Sequence, residues 1–309
     1  MLDRTIWWHV YPLAALGAPI RSEHDSAHRL RALEPWLDYL VELGCNGLLL
    51  GPIFASATHG YDTLDHFRID PRLGDEEDFA WLIDECSARG IHIMLDGVFN
   101  HVARTHPWVE QGLAGDTDWE GHGELATLHH SDPAVRDAVA EIMLHWLRRG
   151  IAGWRLDVAY AVPADFWADV LARVRAEFPD AMFLGEVIHG DYSSIGKEGS
   201  LDAVAQYELW KATWSSLVDV NFWELAHALE RGVSLAKERG ERESNLPVFI
   251  QVSADGDGAR GGVSPEALDE LVRAVEEAQH LELAGLMVVP PLDADAGEVF
   301  RNVRGEVDR

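Results

Sequence analysis

The chain has 309 residues, 47% hydrophobic and 25% charged, the proportions of an ordinary globular protein long enough for one large barrel or two average domains. Asp and Glu number 53 against 25 Lys and Arg, a formal net charge of −28 that disfavours nucleic acid and anionic membranes as partners and suits a neutral or cationic substrate. Two cysteines, Cys45 and Cys86, make no disulfide framework, the first residues lack a signal-peptide pattern, and no apolar stretch nears the length of a membrane span, so a cytoplasmic protein is expected.

Thr5 to Leu13 reads as a first strand stopped at Pro12, with Trp7 and Trp8 expected in the core. A helical pattern from Ser26 to Leu43 closes at Gly44, and Cys45 to Pro52 is a second short apolar strand. The cycle repeats with a helix from Glu76 to Arg89, a stop at Gly90 and a strand from Ile91 to Asp96. Asp132-Pro133 opens a helix with an acidic cap and a first-turn proline; it runs to Arg149, and Gly153-Trp154-Arg155-Leu156-Asp157 follows as strand four. Pro163 to Phe178 is helical and Met182-Phe183-Leu184-Gly185-Glu186 is strand five. Ala203 to Tyr207 is a weaker sixth strand, Asn221 to Arg239 a helix, and Pro247 to Val252 a seventh strand. Ser264-Pro265 opens a helix to about His280, before an eighth strand from Ala284 to Pro290.

Eight short apolar strands alternating with helices imply a parallel α/β fold, and their number suits a (β/α)8 TIM barrel. A doubly wound open sheet is the alternative, but no glycine-rich phosphate loop follows any strand. Asp96, Asp157 and Glu186 all end strands, where barrel active sites lie. Arg155 and Asp157 are two apart and share a face, so the guanidinium is expected to keep Asp157 ionised. Glu186 has apolar sequence neighbours and no adjacent cation, which predicts a raised pKa. On neighbouring parallel strands the two acids would approach the roughly 5–5.5 Å separation of a retaining glycosidase pair. A plain ion pair on a strand end is the structural alternative. The stretch from 102 to 131, with Trp108, Trp119, His122, His129 and His130, reads as a long lid loop or substrate platform.

Four motifs in order carry a resemblance: His59-Gly60-Tyr61-Asp62-Thr63 after strand two, Asp96-Gly97-Val98-Phe99-Asn100-His101 at strand three, Gly153 to Asp157, and Gly185-Glu186-Val187. From about Thr5 to Leu229 the chain resembles the catalytic barrel of the α-amylase family of glycoside hydrolases. The resemblance implies Asp157 as nucleophile, Glu186 as general acid/base and Arg155 as the residue that orients the nucleophile. It implies that Tyr61, Asp62 and His101 hold the sugar ring, and that Asp96 and Asn100 fix the strand-three loop, the asparagine being a calcium ligand in some members. Asp96 and His101 could instead satisfy buried loop backbone.

The family's Asn-His-Asp motif after strand seven, which supplies a third acid, has no counterpart. From about Ala228 to the end, Leu246 to Val263 and Leu283 to Pro291 resemble the pyridoxal-phosphate homeostasis proteins, whose barrel is related to alanine racemase. The reading is a chimera, natural or engineered: residues 1–229 bring six βα units and residues 230–309 two, together one barrel. The lysines, Lys197, Lys211 and Lys237, fall in predicted loop or helix, so no Schiff-base position is expected and pyridoxal phosphate is not. Asp255 and Asp257 lie just past strand seven, either as partial substitutes for the missing acid or as a solvated turn.

The functional expectation is a retaining hydrolase or transglycosylase acting on an α-glucoside or maltooligosaccharide, impaired by loss of the third acid. The alternatives are a chimeric barrel scaffold without turnover and a pyridoxal-phosphate binder. Oligomeric state is not legible.

Overall fold

The structure is a computed structural model describing residues 4–21, 25–218, 222–255, 262–291 and 294–307. The chain divides into two compact units, Met1–Ala205 and Gln206–Arg309. The seam expected at 229/230 falls inside a helix of the second unit, Trp223–Glu238.

The first unit is built on one parallel sheet: β1 (Trp7–Val10), β2 (Gly47–Leu50), β3 (His92–Gly97), β4 (Gly153–Leu156), β5 (Met182–Gly185) and β6 (Ala203–Val204), hydrogen-bonded in that order. Sequential parallel neighbours are the order of a (β/α)8 barrel, and the charges of Arg155 on β4 and Glu186 after β5 both reach His9 on β1 across the curl of the sheet. Helices α1 (Glu34–Glu42), α2 (Glu76–Ala88), α3 (Pro133–Leu147), α4 (Ala164–Glu177) and the short α5 (Tyr192–Glu198) make the connections. The sequence signals act where expected. Asp75 closes a capping box on α2 by accepting from Glu77 N and Asp78 N while Asp78 returns a bond to Asp75 N. Asp132 caps α3 ahead of Pro133.

β2 and β4 are buried along their whole length. Alternation sends Trp154 and Leu156 of β4 to the helix layer, where Trp154 packs near Phe54 and Phe99, and leaves Arg155 and Asp157 on the barrel side. The core is aromatic: Trp146, Trp154, Trp167, Phe79, Phe166 and Phe183 are nearly inaccessible, and Trp146 donates its indole N–H to His66 O (2.8 Å). Trp7 and Trp8, expected in this core, are half-buried; Trp8 stacks on the exposed Trp36 at 6.0 Å.

Two expectations need correction, and one element was not expected. The helix predicted from Ser26 splits into a 3-10 segment, Arg29–Leu33, and α1, which begins only at Glu34 ahead of Pro35. The stretch after β2 is an antiparallel hairpin, Phe54–Ser56 with Thr63–Ile69. The predicted lid loop is a small antiparallel sheet with His122–Leu128 between His101–Ala103 and Ala114–Trp119. Its tip is a two-residue turn in which Glu120 (φ 48°) and Gly121 (φ 81°) are both left-handed, the geometry that suits a tight hairpin. Arg104 ties the strands by donating to Gly123 O and Leu125 O and pairing with Asp118.

In the second unit, helices α6 (Tyr207–Val218), α7 (Trp223–Glu238), α8 (Pro265–Glu277) and α9 (Ala296–Val307) surround a two-stranded parallel sheet, β7 (Leu246–Val252) and β8 (Leu281–Val288). The register skips Ala284, so that Phe249 faces Gly285, whose φ of +148° only glycine adopts freely. Val233, Ile250, Val252, Val263, Leu268, Val275 and Leu281 form its core. No described helix is long and apolar enough to cross a membrane.

Candidate active site

Strand register assembles the site. Asp96 on β3 lies opposite Arg155 on β4, and Leu156 lies opposite Gly185 on β5. One further rung on each side, Asp157 N to Gly97 O (3.0 Å) and Glu186 N to Leu156 O (2.9 Å), carries Asp157 and Glu186 to adjacent strand ends. The two acids therefore stand side by side, as the sequence led one to expect, across a strand spacing of about 4.8 Å.

Arg155 is the centre. Its Nη1 donates to both oxygens of Asp96 (2.6 and 2.7 Å) and to Asp157 Oδ1 (3.2 Å), while Nη2 pairs with Glu186 Oε1 (2.5 Å). The other oxygen of Glu186 accepts the Val158 N–H at 3.0 Å. Asp96 also accepts from the Tyr61 hydroxyl (3.2 Å). Three carboxyls thus share one guanidinium, with Arg155, Asp96 and Asp157 all buried.

This corrects one electrostatic expectation and the premise of another. Glu186 does have a cation beside it, delivered from the neighbouring strand rather than from its sequence neighbours. Asp157 is not held down by its arginine: burial pushes its carboxyl well above the usual range, and the charge of Asp96 adds to the rise against the pull of Arg155. Burial raises Asp96 as well, against the pull of Arg155. Burial works against the charge on Arg155, yet the three acids outweigh it and raise its pKa.

The remaining predicted residues divide. Tyr61 stands at the site through Asp96. Asp62 is buried within its own loop, accepting from Thr58 Oγ1 (2.6 Å) and Gly60 N (3.2 Å). His101 was expected on the sugar, but both ring nitrogens bond protein: Nε2 donates to Tyr61 O (3.0 Å) and Nδ1 accepts from Asn100 Nδ2 (3.1 Å). Burial lowers its pKa to about 4, so the ring is neutral, and it stacks on Trp119 of the lid sheet at 5.9 Å. His101 and Asn100 therefore hold the Tyr61 loop, whereas Asp96, expected to brace the strand-three loop, binds Arg155. Asp255 is exposed in the second unit, and Asp257 lies outside the described residues.

Sequence reasoning missed the supports of the loop 57–62. Arg72, fully buried, pairs with Asp70 (2.7 Å) and donates to Thr58 O and Pro19 O; the Tyr11 hydroxyl donates to His59 O (2.7 Å). Asp70-Pro71-Arg72 was a legible signal, an acid and a base two apart just after a strand of mixed polarity. Beside this loop is a cavity of about 400 Å³ that includes Thr58, His59, Asp62, Arg104 and Glu124 in its lining.

Pyridoxal phosphate does not fit the residues present. Lys197, Lys211 and Lys237 are all helical; Lys211 pairs with Glu224 (2.9 Å) and Lys237 donates to Asn245 (2.6 Å), so none stands at a strand end.

Comparison with known proteins agrees with the architecture. The alanine racemase N-terminal domain family matches residues 203–302. An intracellular maltogenic amylase of Bacillus subtilis is 39% identical over 183 residues, covering 52% of this chain and 31% of its own length. A cyclomaltodextrinase of a Bacillus species is 34% identical over 230 residues, 65% of this chain and 40% of that one. The chain thus spans about a third of the length of these curated relatives. Among solved structures, cyclic alpha-maltosyl-(1→6)-maltose hydrolase from Arthrobacter globiformis superposes with a TM-score of 0.65 at 21% identity, covering 99% of this chain and 82% of that chain, a likeness of fold. The alpha-amylase catalytic domain family matches residues 21–121 and 118–227, two thirds of the sequence, and the chain belongs to that family.

Proposed function

We propose that the chain acts on α-glucosidic bonds of maltooligosaccharides by a retaining mechanism, with Asp157 as nucleophile and Glu186 as general acid/base. One observation carries this reading: strand register sets the two carboxyls on adjacent strand ends around a shared guanidinium. A retaining enzyme needs one carboxylate to attack the anomeric carbon and one carboxyl to protonate the leaving oxygen, then to deprotonate the incoming water or sugar hydroxyl. Arg155 joins the two and fixes their approach, with Asp96 holding the arginine in place. Tyr61 offers a ring face to the sugar, and the lid sheet, whose Trp119 lies on His101, walls the site. Relatives named as amylases and cyclomaltodextrinases support the substrate class.

The same reading makes the enzyme slow. Burial raises the pKa of Asp157, which lowers the ionised share of the nucleophile, and no Asn-His-Asp motif in the sequence supplies a third acid. The matches to two families, overlapping over residues 203–227, support an origin by fusion. The competing reading, a hybrid scaffold without turnover, draws on that raised pKa and on the missing motif. Release of an aryl alcohol from an activated aryl α-maltooligoside, abolished in Asp157→Asn and restored in part by azide in Asp157→Ala, is the expected result. Wild-type release indistinguishable from the Asp157→Asn background would leave the scaffold.

A further inference from the structure

Val158, next after Asp157, has φ 51° and ψ 37°, inside the left-handed region. The other described non-glycine residues with positive φ are Glu120, in the hairpin turn, and Ser200, just after α5; neither is β-branched. For a branched side chain this conformation is a genuine outlier, and such strain persists only where its surroundings over-determine it.

The surroundings do so here. A 3-10 turn, Ala159–Ala161, begins at once, with Ala161 N donating to Val158 O (3.0 Å). The Trp167 indole, fully buried in α4, donates to Ala159 O (3.2 Å). Ala159 also packs against Gly185, where an added Cβ would stand 3.2 Å from its methyl. The chain thus leaves β4 abruptly, and the Val158 N–H goes to Glu186 Oε2 at 3.0 Å while Arg155 takes Oε1.

We propose that the left-handed turn at Val158 serves to aim this backbone N–H at Glu186, making Val158 a positioning residue for the acid/base. The inference rests on the role assigned to Glu186 above. Gripped at both oxygens, the carboxyl has its plane fixed, and neither grip depends on a flexible surface group. Valine rather than glycine at this position limits the backbone to few alternatives once it is forced into the turn.

The test separates this inference from the assigned activity. In the full chain, amide hydrogen exchange at Val158 is compared between wild type and Glu186→Ala. Exchange at 158 is expected to quicken about tenfold or more, while Asp157, whose N–H donates to Gly97 O, serves as an unchanged control. Equal protection of the 158 amide in both proteins would overturn the proposal whatever the turnover. A second arm replaces Val158 by its α-hydroxy analogue, exchanging the amide for an ester, and by glycine, which keeps the N–H. With an activated aryl α-maltooligoside, the ester is expected to lower kcat by about tenfold while KM changes little. Val158→Gly, which keeps the N–H, should leave kcat close to that of wild type. A kcat unmoved by the ester would refute the positioning role. Absence of wild-type turnover would refute the assigned activity, and hydrogen exchange would then decide the backbone question alone.

Discussion

Arg155→Met is the sharpest probe of a site in which three carboxyls share one cation. Methionine keeps most of the side-chain volume, so the change is chiefly electrostatic. Arg155 has a side-chain exposure of 9%, Asp96 0% and Asp157 7%, so water replaces little of what is lost. Removing one partner of a buried ion pair costs about 3–5 kcal/mol, and here the charge removed also satisfies Glu186. A loss of about 4 kcal/mol at pH 7 is expected. Its pH dependence is diagnostic. Burial already raises Asp96 and Asp157 in the folded protein, and without the guanidinium both rise further. A carboxyl whose folded pKa exceeds its unfolded value of about 3.9 binds more protons when folded, so its contribution is intact below that pH and is lost as pH rises. The deficit of Arg155→Met relative to wild type should therefore be small near pH 4 and grow toward pH 8. Urea unfolding of both proteins at pH 4.5, 6 and 8, read by tryptophan fluorescence, measures it. A deficit equal at all three values, or below about 1 kcal/mol at pH 8, would show that the guanidinium does not hold the acids together.

Other expected outcomes follow from the same geometry. Burial lowers His66 to about 3, and also lowers His106 to about 4; both rings pack with Trp108. A histidine depressed on folding is stabilising above its unfolded pKa of about 6.5 and loses that contribution as pH falls toward the folded value. The His66→Phe variant should thus lose less stability between pH 6.5 and 4, its slope reduced by about 1.4 kcal/mol per pH unit in equilibrium unfolding. Asp75→Ala breaks the capping box of α2 and should cost about 1 kcal/mol by the same measurement. Trp119→Ala removes the ring stacked on His101 and should raise KM for the aryl maltooligoside more than it lowers kcat; an unchanged KM would show that the lid sheet does not meet substrate.

The barrel was legible because its signals are local. Gly44, Gly90 and Gly150 end helices in left-handed geometry, Asp75 and Asp132 cap the next ones, and each apolar run between them became a strand. What failed was also physical. The lid sheet hid because its strands alternate weakly and its tight turn, Glu120-Gly121, carries no asparagine or proline. Helix α6 hid because Trp210, Trp214 and Leu217 leave its apolar residues exposed rather than on one inward stripe. The second unit's β7 and β8 were found within a few residues, but the bulge at Gly285 was not, since one glycine in an apolar run carries no register.

The acids show where reading along the chain must fail. Asp157 has its arginine two residues away and Glu186 has only Leu184, Gly185 and Val187 around it, and on that basis the first was expected charged and the second protonated. Yet a parallel sheet puts the strongest partners of a strand-end residue on other strands: Asp96 takes both of the short bonds from Nη1 of Arg155, and Glu186 takes Nη2. Asp157 receives the longest of the contacts, and burial raises its carboxyl well above the usual range. A larger ionised share on Asp157 calls for surroundings that shift positive charge toward it. Asp96→Asn would do so from within, by freeing the guanidinium for Asp157 and removing the negative charge that adds to its rise.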